Sequence, residues 1–414
     1  MTKFLLKTVC VSLCLMVCSC SSEDLPGGPT AKARVDVPLT NTGKEINQNI
    51  VDFSIDMMKK QLVSTEQNSA ISPLSTSYLL GMLLNGADGD NYQEMLSAMK
   101  LGNYSLPEIN EYMKTMTSTL KDLDNTATFS CANSIWAKTG FTLLPAFVTL
   151  NKSTYNADVN SNQPFDATTV KAINDWCAEK TNNKIDRIIK DGELENIKAV
   201  LTNALYFKAS WADKFNARDT KTEKFTTGSG TQVDVRMMHK TQDMECVDDD
   251  KVKMVRLPYG NGAYAMSVLM PANENENIND FINSLDATSF KSMLHASYTR
   301  KVHLSLPRFS INYENEEMIH LLESLGINKT FLSEANFKNM TDDSYYVQAI
   351  RQKLAIDVDE NGTVAAVVTS TTGYTVNYEP EVTINFNRPF LFVISEYSTG
   401  AILFAGKIVN PSQL

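Results

Sequence analysis

DVDENGTVAAVVTSTTGYTVNYEPE, residues 357–381, opens with the acidic spacing of a calcium loop and then runs from Thr363 to Tyr378 without a charge, a proline or a long apolar side chain. A calcium reading of Asp357, Asp359, Asn361 and Gly362 fails on geometry. The twelfth position, which must supply a bidentate carboxylate, is Val368. What remains is a segment of Thr, Val, Ala and Ser, the composition that pairs with any open sheet edge it meets. Such a segment is either buried or exposed for a purpose.

The N-terminus stands apart from the fold. Lys3 and Lys7 precede the apolar run Thr8 to Val17, which is too short for a spanning helix and reads as a secretory signal over residues 1–19. Val17, Cys18 and Ser19 before Cys20 resemble a bacterial lipobox, in which Cys20 is lipidated and becomes the mature N-terminus; Cys18 departs from the usual pattern. Plain export with a free cysteine is the alternative. Residues 20–44 hold Pro, Gly and polar residues without an apolar period and read as a flexible tether, leaving residues 45–414 as one domain. The acidic residues that follow Cys20 resemble a surface-export signal, so the expected place is a bacterial envelope, on either face of the outer membrane.

Four of the seven cysteines fall in the leader, and Cys131, Cys177 and Cys246 each sit among apolar residues, as buried thiols do. The net charge of -10 becomes about -12 without Lys3 and Lys7, which argues against nucleic acid or an anionic membrane surface as the main partner. No metal spacing and no cofactor motif is present, so neither is expected.

Local signals are strongest in "NSAISPLSTSYLLGMLLNGADG": Ser72 is placed to cap a helix, Pro73 opens it, and the apolar run continues to Leu84 with a stop at Gly86. Phe53, Met57, Met58 and Leu62 share a helical face, and Ala172–Thr181 reads as another helix. Alternation marks strands at Val302–Leu306, Leu354–Val358 and Val382–Phe386, and "FLFVISEYSTGAILFAGKIV" reads as a hairpin turning at Ser398 to Gly400. The expected class is mixed α/β (α+β) with large, partly antiparallel sheets. The histidines 239, 295, 303 and 320 stand in no HExxH motif, and neither a GxSxG elbow nor a P-loop occurs. A triad assembled across the fold stays open as a hydrolase reading, although nothing in the chain points to one.

Taken in order, "NSAISPLSTSYLLGMLLNGADGDNYQEM", "INDWCAEKTNNKI", "LTNALYFKASWADKF", "LPYG", "LPRF", "DENGTVAA", "NRPFLFVI" and "ILFAGKIVNP" resemble the serpin family over residues 48–414. The resemblance implies three β-sheets with about nine helices and an exposed reactive-centre loop at about residues 360–381. It implies an irreversible suicide inhibitor: a serine endopeptidase cleaves the loop, is trapped as an acyl-enzyme, and is carried away as the loop enters the main sheet. Loop insertion of this kind is a known form of strand addition. The protein is then not an enzyme but a monomeric inhibitor whose partners are target proteases. The alternative is a non-inhibitory serpin, a substrate-like or ligand- or partner-binding envelope protein; such relatives typically carry proline, charge or bulk where this chain reads GTVAAVVTSTT.

The family's working residues carry over position by position. Glu360, Gly362, Thr363, Ala365 and Ala366 correspond to the hinge of the loop. Active relatives usually have glutamate where Val364 stands and smaller residues at Val367 and Val368. Ser72, Ser75, Asn203 and Gln352 correspond to the hydrogen-bonded shutter beneath the opening sheet, with Gln352 replacing the family's histidine. Trp211 and Arg308 correspond to the breach where the loop enters, Arg308 pairing with Glu360. Counting about sixteen residues from Glu360, an extended span of ~50 Å, places the scissile bond at Val376-Asn377; counting back from "NRPF" lands nearer Tyr378, with Tyr374 and Thr375 as further alternatives. Valine there favours elastase-like targets and tyrosine chymotrypsin-like ones, and the apolar pair also suits papain-like cysteine proteases.

Overall fold

The segments whose sequence alternates or caps are the segments that become regular. The computed structural model describes residues 32–295, 297–363 and 380–412. Helix α1 (Asn41–Val63) starts where the Thr40 hydroxyl accepts the Gly43 N–H, and it buries Ile46, Ile50, Phe53 and Met57 along one face. It begins inside the stretch expected to be tether. Val37, buried ahead of it, donates its N–H to the Ser398 hydroxyl at 3.0 Å. After strand β1 (Ser69–Ile71), helix α2 (Pro73–Leu84) runs as the sequence indicated, capped by Ser72 and buried at every position. Helices α3 (Gly89–Ala98) and α4 (Leu106–Thr119) follow.

The chain then interleaves strands and helices: β2 (Thr128–Lys138), α5 (Pro145–Tyr155), β3 (Asp158–Gln163), α6 (Ala167–Lys180) and β4 (Ala199–Ser210). Helix α6 starts five residues earlier than its apolar period suggested. The Asp166 carboxylate accepts the N–H groups of Thr168 at 2.9 Å and Thr169 at 3.4 Å, which caps a turn made of threonines that are weak helix formers. Strands β5 (Lys221–Thr226), β6 (Gln232–Asp248), β7 (Val252–Tyr259) and β8 (Tyr264–Pro271) lead to the short helices α7 (Ile278–Ser284) and α8 (Ala287–His295). Strands β9 (Tyr298–Pro307) and β10 (Phe309–Asn315), helix α9 (Met318–Glu323), and strands β11 (Gln352–Val358), β12 (Gly362–Thr363), β13 (Val382–Asn385), β14 (Phe390–Glu396) and β15 (Ile402–Ile408) complete the chain.

Among the described residues these make nine helices and three sheets. The largest sheet runs β1-β15-β14-β8-β7-β6-β9-β13, with β5 paired to β6. Strands β8, β14 and β15 are buried along their whole length, so they read as continuous apolar runs rather than alternating ones. Each buried Phe, Leu or Ile there contributes about 1.5–3 kcal/mol. Gly406 is needed because a Cβ would lie 2.5 Å from the Phe392 ring that crosses it. The β14–β15 turn is held from inside, where buried Glu396 accepts the Ser398 N–H at 2.8 Å and the Thr399 N–H at 2.7 Å.

The second sheet runs β12-β4-β2-β3, and the third pairs β10 with β11 in seven antiparallel steps from Phe309↔Val358 to Asn315↔Gln352. Helices α1 and α2 belong to the main core, while α6 covers a separate cluster that includes Trp136, Ile173 and Cys177. The second and third sheets meet at one end. There Asp359 and Gly362 form a bridge, so that β11 turns back through Glu360 and Asn361 into β12, and β12 lies along β4.

Candidate functional site: the hinge and the polar cluster beneath it

The two-residue reversal at Glu360–Asn361 is clamped by three backbone carbonyls. The Trp211 indole donates to the Asp359 carbonyl at 2.9 Å, the Phe215 N–H to Glu360 at 3.0 Å, and the Trp211 N–H to Asn361 at 2.9 Å. Trp211 is itself fixed by stacking on Tyr259 at 4.5 Å between centroids and by an edge contact with Phe215. The turn is therefore held by a rigid aromatic platform.

Gly362 follows with φ +138, and a Cβ at this position would lie 2.3 Å from the Ala209 carbonyl. Only glycine fits so close an approach. Gly362 and Thr363 pair antiparallel with Ser210 and Ala209, and the Thr363 hydroxyl meets the Tyr259 hydroxyl at 2.7 Å in the buried interior. The first two residues past the turn thus already occupy a strand position beside β4.

Glu360 is nearly enclosed, its side chain 5% exposed, and is ion-paired to Arg308, which stays 42% exposed. Arg308 Nε donates to Glu360 Oε1 at 2.8 Å, and the Thr220 hydroxyl donates to the same oxygen. Burial pushes the Glu360 carboxyl up, but the hydrogen bonds from Arg308 and Thr220 outweigh it and leave the group below its ordinary 4.5. Arg308 and Trp211 therefore stand together around Glu360, as expected. Thr220, Phe215 and Tyr259 were not singled out by sequence reasoning. Tyr259 lay in the LPYG block without a role, and nothing in a sequence links Thr220 to a carboxylate 140 positions away.

The expected shutter separates into two groups. Gln352 Oε1 accepts the Ser72 N–H at 2.8 Å, while its Nε2 donates to the Ser72 carbonyl at 3.0 Å and to the Thr76 hydroxyl at 3.2 Å. The primary amide thus satisfies both backbone groups of one residue. Ser72 in turn donates to the Leu403 carbonyl at 2.7 Å and accepts the Ser75 N–H at 3.3 Å, so it ties α2, β11 and β15 together. Asn203 does not join this hydrogen-bonded set. It sits on β4 directly opposite Asn133 of β2, and its Nδ2 donates to Asn133 Oδ1 at 2.7 Å and to Cys131 Sγ at 3.2 Å; its buried Oδ1 has no partner. Cross-strand register, not the loop of α2, decides where this side chain goes.

The remaining expectations resolve as follows. Cys177 and Cys246 are buried, whereas Cys131 is only half-buried, which corrects its expected place; burial pushes the Cys177 thiol up to about 12. Asp357 pairs with Lys184 at 2.7 Å and accepts the Ser310 hydroxyl at 2.8 Å. His303 is on the solvent side, bonded to Thr241 and Glu381. His239 lies between Glu223 at 2.8 Å and Ser305 at 3.1 Å, partners that only strand pairing brings near. Ala365, Ala366, Tyr374, Thr375, Val376, Asn377 and Tyr378 lie outside the described residues, as does Cys20.

Two outcomes follow from this geometry. Replacing Arg308 by Met costs on the order of 1–3 kcal/mol at neutral pH through lost charge-assisted hydrogen bonds. Because the folded pKa of Glu360 lies below 4.5, the pair's contribution is complete above that value and is lost as pH falls through the lower folded value. The melting-temperature gap between wild type and R308M should therefore close on acidification; a gap that persists in strong acid refutes the assignment. Replacing Gln352 by Leu leaves the Ser72 N–H without its partner and should cost about 1–3 kcal/mol, whereas Q352H should make stability vary near pH ~6.5, where histidine titrates. Thermal melts of both variants across pH 5–8 check this.

Comparison with known proteins agrees with the geometry. Residues 48–411 match the sequence model of the serpin (serine protease inhibitor) family. A serine protease inhibitor of Cyanea capillata is 31% identical over 360 residues, covering 84% of this chain and 93% of the relative. Iripin-3 of Ixodes ricinus is 30% identical over 374 residues, covering 86% and 92%. The crystal structure of a thermophilic serpin, tengpin, in the native state superposes with a TM-score of 0.80 at 30% identity, over 92% of this chain and 97% of that one. A hinge clamped at the meeting point of two sheets, within a fold shared along nearly the whole length, makes this chain a member of the serpin family.

Proposed function

We propose that this chain is an irreversible suicide inhibitor of serine endopeptidases, and of papain-like cysteine endopeptidases by the same route. The observation that carries the reading is the hinge: Gly362 and Thr363 are already seated against β4, and the chain reaches them by a single reversal from β11. In the proposed reaction the protease serine hydroxyl adds to the carbonyl carbon of Val376, the bond to the Asn377 nitrogen breaks, and that nitrogen leaves protonated. An ester then links Val376 to the protease. With the loop severed, Val364 and the residues after it are free to follow Thr363 as a strand along β4, drawing the acyl-enzyme with them before water hydrolyses the ester. No residue from Thr363 to Thr375 carries a charge, so none opposes burial.

The sequence supports elastase-like or chymotrypsin-like targets, according to which of Val376 and Tyr378 is cut. It also supports an exported monomer held at a bacterial envelope through lipid on Cys20, with residues from Cys20 to the start of α1 as the spacer. No helix among the described residues is long and apolar enough to cross a membrane.

Incubation with pancreatic elastase or chymotrypsin should yield a covalent complex that survives denaturing electrophoresis, and mass spectrometry of the released C-terminal peptide should begin at Asn377. Thr363→Arg places a cation beside Tyr259 at a cost of several kcal/mol and should convert the protein into a cleaved substrate with at least tenfold less complex. Cleavage of the wild type without complex, or an unaffected T363R, overturns the reading. In a bacterial host that processes lipoproteins, C20S should shift the protein from the membrane fraction to the soluble one; unchanged membrane association overturns the anchor.

A further inference from the structure

Lys240 stands in the middle of β6, at a position where a cation is out of character. Two residues before it, Met238 is fully buried, its antiparallel partner on β9 is the buried Leu304, and the lysine side chain itself is only 9% exposed. Burial pushes its pKa down to about 8, with Asp213 opposing the shift, so the group is still a cation at neutral pH. Taking an ammonium out of water is costly, and an apolar side chain would fill such a strand position without that cost.

The cation meets the segment that runs from the end of β4 to Phe215. Lys240 Nζ donates to the Asp213 carbonyl, lies 3.5 Å from Asp213 Oδ1, and sits 5.4 Å from the centroid of the Phe215 ring. The flanks of this segment have their own fasteners: the Ala212 N–H donates to the Pro258 carbonyl at 2.9 Å, and the Phe215 N–H to the Glu360 carbonyl at 3.0 Å. Among the described residues no other hydrogen bond reaches Asp213 or Lys214. One ammonium therefore fixes the carbonyl midway between Trp211 and Phe215, the two residues whose N–H groups grip the reversal at Asn361 and Glu360. The Phe215 grip holds only while Phe215 keeps its place, and that place is set by the Trp211 ring and by Lys240.

We propose that Lys240 is a positioning residue for the hinge: its cation holds Asp213 and Phe215 so that the reversal stays clamped and Gly362 and Thr363 stay seated on β4. It acts through Phe215 and touches neither the loop nor the protease. Its consequence for trapping rests on the inhibitory reading; its effect on the hinge does not.

Two variants of the intact chain test this. Lys240→Met removes the charge and keeps the stem, and Lys240→Arg keeps the charge. Amide exchange followed by mass spectrometry should be at least tenfold faster in K240M at residues 211–215 and 360–363, with the rest of the chain unchanged, and K240R should exchange as wild type. With elastase or chymotrypsin, K240M should be cleaved at the wild-type rate while the share of cleaved molecules ending in covalent complex falls at least threefold, and K240R should restore that share. Wild-type exchange at the two segments in K240M, protection lost throughout the chain, or failure of arginine to rescue overturns the proposal. Faster local exchange with an unchanged share of complex overturns its consequence for trapping. A wild type that is cleaved without complex overturns the inhibitory reading instead, and the exchange result alone then decides the role of Lys240.

Discussion

The seating of Gly362 against Ala209, Ser210 and Trp211 is the constraint on which the working end of the molecule depends. A strand edge offers a row of N–H and carbonyl groups that must find partners. At the end of β4 those partners come from a chain that has just left β11, and the reversal fits only because Gly362 has no side chain at φ +138. The aromatic platform of Trp211, Tyr259 and Phe215 sets the height of the turn, and the Arg308–Glu360 pair closes it from the solvent side. Packing, backbone pairing and charge thus converge on four consecutive residues, 360–363.

The polar groups beneath the sheet follow a different economy. Buried donors and acceptors need partners, and Gln352 matches both the N–H and the carbonyl of Ser72 with one planar amide. An imidazole in one tautomer offers one donor and one acceptor on opposite sides of a ring and cannot lie flat against both. Asn203, displaced to the β2–β4 pair, leaves an acceptor unfilled.

Further along the chain, β13 is held by four parallel pairs to β9, from Val382↔Val302 to Asn385↔Ser305. Glu381 reinforces it, bonding Lys301 at 2.7 Å and His303 at 2.8 Å. The histidines thus serve as cross-strand fasteners: His303 links β9 to Thr241 of β6 and to the residue preceding β13, and His239 links β5, β6 and β9. The residues on either side of positions 364–379 are therefore anchored alike, each by backbone pairing and an ion pair: β12 on β4 with Arg308–Glu360, and β13 on β9 with Glu381–Lys301.

Local features of the fold were legible in the chain. Ser72 with Pro73 announced α2, alternation announced β9, β11 and β13, and the polar turn at Ser398–Gly400 announced the last hairpin, because caps, periods and turns are decided by neighbours within a few residues. The start of α1 at Asn41 and of α6 at Ala167 were missed, since each is set by a capping hydrogen bond rather than by an apolar stripe. Family motifs named Glu360, Arg308 and Trp211, but not Thr220, Tyr259 or the departure of Asn203 from the Ser72 cluster. The sequence by itself determined which segments are helices and strands and that the segment after Glu360 carries nothing hostile to burial. Only the tertiary structure decided which polar groups meet. Those meetings depend on strand register and on contacts between residues a hundred or more positions apart, which local chemistry does not encode.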